Sequence, residues 1–233
     1  MRRVFGLLCV LIFGVIFASL VSDYDERQTL SALAVHYLTE VPADLGAPNV
    51  VTGILITFRG FDTLGEVAVL FMVAASVGLL LTGEAGGKAP SRDSASHIIG
   101  RGPSELVRNG AEVVLPLIFL FGAYVIMNGH LSAGGGFQGG AVVASGVMLL
   151  MLAYPSGSIN HGFLSTTESL AGVFYVLIGI VGIAFGSGFL DSHILPRGNF
   201  GTLISAGAIP LISALLGIKV GAELSVIIDR FRS

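Results

Sequence analysis

The chain has 233 residues, of which 53% are hydrophobic and only 12% charged, with a mean hydropathy of +0.87. A soluble domain carries about 25% charged residues, so this composition excludes that class and indicates an integral membrane protein. A net charge of -3 excludes a nucleic-acid binder, which needs clustered Lys and Arg, and the single cysteine, Cys9, excludes a disulfide framework or a cysteine-held metal cluster within this chain.

Six apolar runs approach the ~20 residues that cross a bilayer core: 4–22, 61–82, 110–128, 136–154, 168–188 and 201–220. The first has the outline of a signal peptide, with "MRR" ahead of it and "FAS" within it, but its apolar stretch is longer than usual and predicts a retained helix. Basic residues sort the connections. Arg2 and Arg3, then Lys88, Arg92, Arg101 and Arg108, and finally Arg230 and Arg232 mark one side of the membrane. The 23–48 segment is acidic, 129–135 has no Lys or Arg, and 189–200 has only Arg197. The bias places both termini in the cytoplasm and predicts an all-α protein of about six transmembrane helices. "GEAGGKAPSRDSASHIIGRGPS" has no helical period and reads as a cytoplasmic linker, 83–104, between a two-helix module, 1–82, and a four-helix module, 105–233.

"NVVTGILITFRGFDTLGEVAVLF" places Arg59, Asp62 and Glu66 on one helix face, and charges so close to an apolar run are costly unless paired or facing an aqueous cavity. Asn49 to Leu81 would extend roughly 50 Å as one helix, so a kink at Gly60 is expected, with Asn49 to Phe58 as a half-helix or interfacial segment. Glu66 then fits either an interfacial charge cluster or a functional intramembrane acid. Glu105, Arg108 and Glu112 repeat the spacing in a cytoplasmic first turn after Ser104, and Glu112, the deepest, is the candidate among them. Lys219 and Glu223 share a face near the cytoplasmic end of the last span, where a lysine can also snorkel. Glu168, read as the start of the fifth span, is stabilised there by the helix N-terminus without needing a function.

"NGHLSAGGGFQGG" satisfies G-x-G-x-x-G at Gly134, Gly136 and Gly139, but apolar spans flank it where a nucleotide loop needs a strand and a soluble helix. Ala141 stands where a P-loop needs Lys. Gly135, Gly136, Gly139, Gly140 and Ala144 instead form a bare helix stripe that admits another backbone, within the chain or from a partner. His130 and Gln138 fit either a structural role beside this stripe or an ion or proton site. No cofactor or metal site is read.

"FLFGAYVIMNGHLSAGGGFQGGAVVASGVMLL" with "LLGIKVGAEL" resembles the MnhB or MrpB subunit of multisubunit Mrp-type Na⁺/H⁺ antiporters over 105–228. "NVVTGILITFRGFDTLGEVAVLF" resembles the C-terminal tail of the large Mrp A subunit, which forms a separate small subunit in membrane-bound hydrogenases. Ala133 departs from the proline common in the family before the glycines. The resemblance implies a non-catalytic accessory subunit, with other membrane subunits and the lipid bilayer as its partners, Na⁺ and H⁺ as the ions moved, and the cell membrane as its location. It covers Arg59, Asp62, Glu66, His130, Gly134 to Gly140, Lys219 and Glu223. The fusion resembles a membrane-bound hydrogenase or sulfane-sulfur reductase arm more than a free-standing antiporter. A packing adapter with no ion path is the alternative.

Overall fold

The computed structural model describes residues 2–25, 28–84, 103–155 and 161–232. Most of the expected linker, 83–104, lies outside these residues. The chain forms two compact units, residues 1–36 and 37–233. In the first, α1 (Arg2–Ser22) is apolar all round, with its large side chains from Val4 to Val21 exposed. Such a surface suits lipid or another protein rather than water. α2 (Ala32–Glu40) starts where the Ser31 hydroxyl accepts a hydrogen bond from the Ala34 amide.

Among the described residues, six helices are long and apolar enough to cross a membrane: Val4–Ser22, Gly60–Leu81, Glu105–Met127, Gly136–Ala153, Gly162–Phe185 and Ile209–Phe231. The second unit holds the last five, as α4 (Gly60–Glu84), α5 (Glu105–Met127), α6 (Gly136–Ala153), α7 (His161–Phe185) and α8 (Ile209–Arg232), with the short α3 (Val50–Gly53) ahead of them. Among the described residues the only β pairing is an isolated bridge between Gly198 and Ser205.

Two boundaries differ from the sequence reading, and both move charged residues. The last span begins at Ile209, not 201, because the chain stays irregular through Ala206 and Gly207, which have φ of 62° and 58°, and Pro210 then suits a helical first turn. The fifth span begins about two turns earlier than 168, at His161. Lys219 and Glu223 therefore sit mid-helix rather than near a cytoplasmic end, and Glu168 sits inside α7 rather than at its start.

α8 is the axis of the bundle: 61% of its apolar window is buried, against at most 39% for the other spans. It packs most closely on α6. A Cβ at Gly136 would stand 2.5 Å from the Ser213 carbonyl oxygen, and one at Gly140 would stand 2.8 Å from that of Gly217. The glycine stripe therefore lets two backbones of the same chain touch, the short-range packing that holds helices together in lipid. Gly134 and Gly135, with φ of 153° and 147°, shape the turn that leads into α6.

The apolar core lies at this turn end of the bundle, where Val41, Leu45, Ile56, Leu190, Ile209 and Ile212 meet. A broken segment supplies part of it. Ala32–Leu45 and Val50–Phe58 are bent by 83°, Arg59 leaves helical geometry with φ of -119° and ψ of 34°, and α4 restarts at Gly60. The break at Arg59, with the restart at Gly60, falls where the length of the run predicts a kink; the 83° bend lies earlier, between Leu45 and Val50, and the sequence reading did not include it. Broken helical backbone needs other partners for its polar groups, and here the Thr63 hydroxyl donates to the Leu55 carbonyl at 2.6 Å. Asn49 fixes the segment to the glycine turn: its amide side chain donates to the Gly129 and Ser132 carbonyls at 2.7 Å each, and its backbone N–H donates to that of His130 at 3.0 Å.

Candidate functional site: a buried charge triad and its two cavities

Lys219 lies ten residues after Ile209, about 15 Å along a 24-residue helix. Its ammonium is 2.9 Å from Glu223 Oε2, one turn on along the same helix, and 3.6 Å from Glu168 Oε1 on α7. It also stands 5.7 Å from the centre of the Phe71 ring on α4. Glu223 is fully buried, Lys219 is 5% exposed and Glu168 9%. Room for the lysine comes from Gly172, whose missing Cβ would touch the Lys219 stem at 3.6 Å. A charge inside an apolar span is expensive to keep, and the mid-helix position distinguishes this cluster from a lysine snorkelling at a helix end.

Two cavities flank α4. One, of about 440 Å³, is lined by Leu64, Phe71, Val173 and Leu177, with Glu168 and Lys219 as its charged residues. The other, of about 690 Å³, is lined by Val69, Val73, Phe137 and Leu224, and carries Glu66 and Gln138. Glu66 and Gln138, separate motifs in the sequence, thus share one surface. A smaller cavity of about 260 Å³ continues from Glu66 and Gln138 to Thr52, Thr63, Gly134 and Gly135.

The remaining sequence candidates fall elsewhere. Arg59 and Asp62 pair with each other at the helix break, with side chains 60% and 50% exposed, and Glu66 stands one turn beyond them. Glu112 accepts a hydrogen bond from the Tyr154 hydroxyl at 2.8 Å, while Arg108 lies over the Tyr154 ring. His130 is fully buried and donates through Nε2 to the Thr202 carbonyl at 3.3 Å. Burial pushes its pKa below the usual value, against the opposing pull of the Thr202 and Met127 carbonyls, and so favours the neutral ring. Gly139 abuts Ile126 and the Gly122 carbonyl of α5.

Sequence reasoning missed a second cluster, in the loop before α8. His193 Nδ1 is 2.7 Å from Asp191 Oδ1, and its Nε2 is 3.5 Å from Asp44 Oδ1. Asp191 also accepts the backbone N–H groups of Ser187 and His193. The signal was the short D-x-H spacing in "LDSHIL", where an aspartate caps its own turn. Burial works against ionisation of both groups. For Asp191 the hydrogen bonds from His193 and Ser187 outweigh it and lower the pKa, while for His193 the bond to Asp191 and the charges of Asp191 and Asp44 outweigh it and raise the pKa.

The pair therefore stabilises the loop between those two values. Its contribution is lost as pH rises through the raised histidine pKa, above 6.5, and as pH falls through the lowered aspartate pKa, below 3.8. Hydrogen exchange of residues 186–195, corrected for intrinsic rates, is expected to slow between these limits and quicken on either side. His193→Asn removes the alkaline limb; a wild-type profile flat across pH 6 to 9 contradicts the coupling.

Residues 106–226 match the family described as a domain related to the MnhB subunit of Na⁺/H⁺ antiporters. This chain belongs to that family. Residues 1–95 match a second family, MbhE, the E-type subunit of MBH. The protein MJ1307 of Methanocaldococcus jannaschii is 31% identical over 198 residues, which cover 76% of this chain and 74% of that one. A Rhizobium meliloti protein described as a probable A/B-type subunit of a K⁺/H⁺ antiporter is 27% identical over 236 residues; these cover 87% of this MnhB-related chain but only 22% of that longer one. A chain of the membrane-bound sulfane sulfur reductase, described as an archaeal respiratory membrane complex, superimposes with a TM-score of 0.79 at 36% identity, over 99% of this chain and 97% of that one. The chain is a multi-pass membrane protein of all-α architecture.

Proposed function

We propose that this chain is an accessory, non-catalytic membrane subunit of an Mrp-type cation/proton module, within a respiratory complex of the membrane-bound hydrogenase or sulfane-sulfur reductase kind. In this reading residues 1–82 and 105–233 are two modules joined by a cytoplasmic linker, 83–104, both termini are cytoplasmic, and the cell membrane is the location. The two family matches and the near-full-length structural likeness support the assignment to such a module. Partner subunits cover the exposed apolar faces, and H⁺ or Na⁺ is the species moved.

The observation that carries an ionic role is the buried Lys219–Glu223 pair at mid-helix. An ion pair away from water gives little net stability, because desolvation offsets the attraction. Intramembrane ionisable residues mark ion and proton paths by default. Glu66 and Gln138, on the far side of α4, supply a second polar surface toward a partner. The packing-adapter reading is weaker, because Gly136 and Gly140 are occupied by α8 of the same chain.

Glu223→Gln keeps the shape of the side chain and removes its charge. In vesicles holding the assembled complex, it is expected to lower sodium-dependent proton movement by about a hundredfold or more, the scale on which a positioned proton-transfer group contributes. Unchanged transport with normal assembly would sink the ionic role.

A further inference from the structure

We propose that Glu168, Lys219 and Glu223 form a binding site for one exchangeable proton, shared between the two carboxyl groups and switched by the lysine. This deepens the function proposed above, and rests on it only for the use to which the proton is put.

Charge counting comes first. Two carboxyl groups and one ammonium lie together in the span, at 0%, 5% and 9% exposure for Glu223, Lys219 and Glu168. With both carboxyls ionised the cluster would hold one uncompensated negative charge in a low-dielectric interior, which is costly. Among the described residues no neighbouring element supplies the missing positive charge. α6 has no charged residue; on α4, Glu66 lines the other cavity, and on α7, Tyr175 is fully buried. On α5, Arg108 lies over Tyr154. On α8, Asp229 and Arg230 stand beyond Glu223, and Arg230 donates to the Ala74 carbonyl at 2.8 Å.

A second, independent observation indicates where the proton goes. Glu223 Oε1 is buried and has no hydrogen-bond partner, while Oε2 of the same carboxyl holds Lys219. The lysine is 2.9 Å from one acid and 3.6 Å from the other, a difference that small rotations of a four-carbon stem remove. Glu168 lines the 440 Å³ cavity and Glu223 does not. With Lys219 on Glu223, the proton sits on Glu168, at the cavity. A proton arriving on Glu223 Oε1 frees Lys219 to pair with Glu168, whose own proton then leaves to the cavity. One proton enters, one leaves, and the ammonium keeps its charge throughout.

The test is infrared difference spectroscopy on the purified complex in choline buffer, so that no sodium can take the proton's place. The readout is the carboxylic-acid C=O stretch, identified by its downshift in heavy water. One such band is expected to disappear in Glu168→Gln and also in Glu223→Gln, since either leaves one carboxylate for one ammonium. Glu223→Asp, which preserves the charge count, keeps it. A band that survives both Gln variants, or that only one of them removes, overturns the shared-proton site. Transport that stays normal while the band disappears would overturn the ionic role and leave the site standing; lost transport with an unchanged band would do the reverse.

Discussion

Gly140→Leu is expected to prevent accumulation of the folded subunit. A Cβ at this position would stand 2.8 Å from the Gly217 carbonyl oxygen, 2.9 Å from Val220 Cβ and 3.0 Å from the Gly221 nitrogen. Two of these contacts are backbone of a buried helix, which has no rotamer with which to yield. An added methyl in such a place costs about 1–3 kcal/mol, and a leucine separates α6 from α8 along the whole contact. Against a total stability of about 5–15 kcal/mol, that separation is decisive. Gly65→Ala is the control, since nothing lies within 4 Å of its Cβ and alanine favours a helix by about 1 kcal/mol. Detergent melting should show Gly65→Ala at or above the wild-type midpoint and Gly140→Ala well below it. Equal midpoints would mean that the two backbones are not in contact.

Lys219→Met is expected to destabilise the subunit by about 3–5 kcal/mol at neutral pH, the usual cost of leaving one member of a buried ion pair alone. Methionine fills the space of the lysine stem, so the loss is electrostatic: Glu223 Oε2 loses both its donor and its counter-charge. Replacing the acids as well reverses the effect. In Lys219→Met, Glu168→Leu, Glu223→Leu the cluster becomes apolar and of similar volume, and such exchanges are often neutral or stabilising. Thermal melting of the single and triple variants checks this. A triple variant no more stable than the single one would assign the cost to shape rather than charge.

The contrast between these two predictions reflects what was legible in the sequence. The glycine stripe was visible at four-residue spacing, because packing leaves a local, periodic signature. Which helix it met was not visible: Gly140 touches Gly217 across a long stretch of intervening chain, and spacing in one segment carries no record of its partner. The helix break before α4 could be read from the excess length of an apolar run, with Gly60 as the restart. The broken segment's attachment to the glycine turn through Asn49 could not, because those hydrogen bonds end on backbone carbonyls, which any residue supplies.

The charge triad was hidden by a boundary. "GTLISAGAIPLI" is apolar enough to pass for membrane-embedded helix, and that reading pulled the start of the last span forward from Ile209 to 201, leaving Lys219 and Glu223 at its far end. Backbone geometry at Ala206 and Gly207, invisible to hydropathy, sets the true start. The same kind of error placed Glu168 at a helix N-terminus, where an acid needs no explanation. About two turns deeper it becomes the third member of a buried cluster. Arg59, Asp62 and Glu66, the most conspicuous charges in the sequence, divide instead into an exposed pair at the break and an acid facing a separate cavity.

In the function proposed for this chain, the charges on α8 and α7 serve ion movement and not packing. Sodium-dependent proton movement by the complex carrying Lys219→Met, Glu168→Leu, Glu223→Leu tests it most directly, since this variant keeps the packing and removes the charges. The expected result is a complex that assembles with its full set of subunits and has lost coupled transport. An assembled complex that moves protons and sodium at the wild-type rate would contradict it.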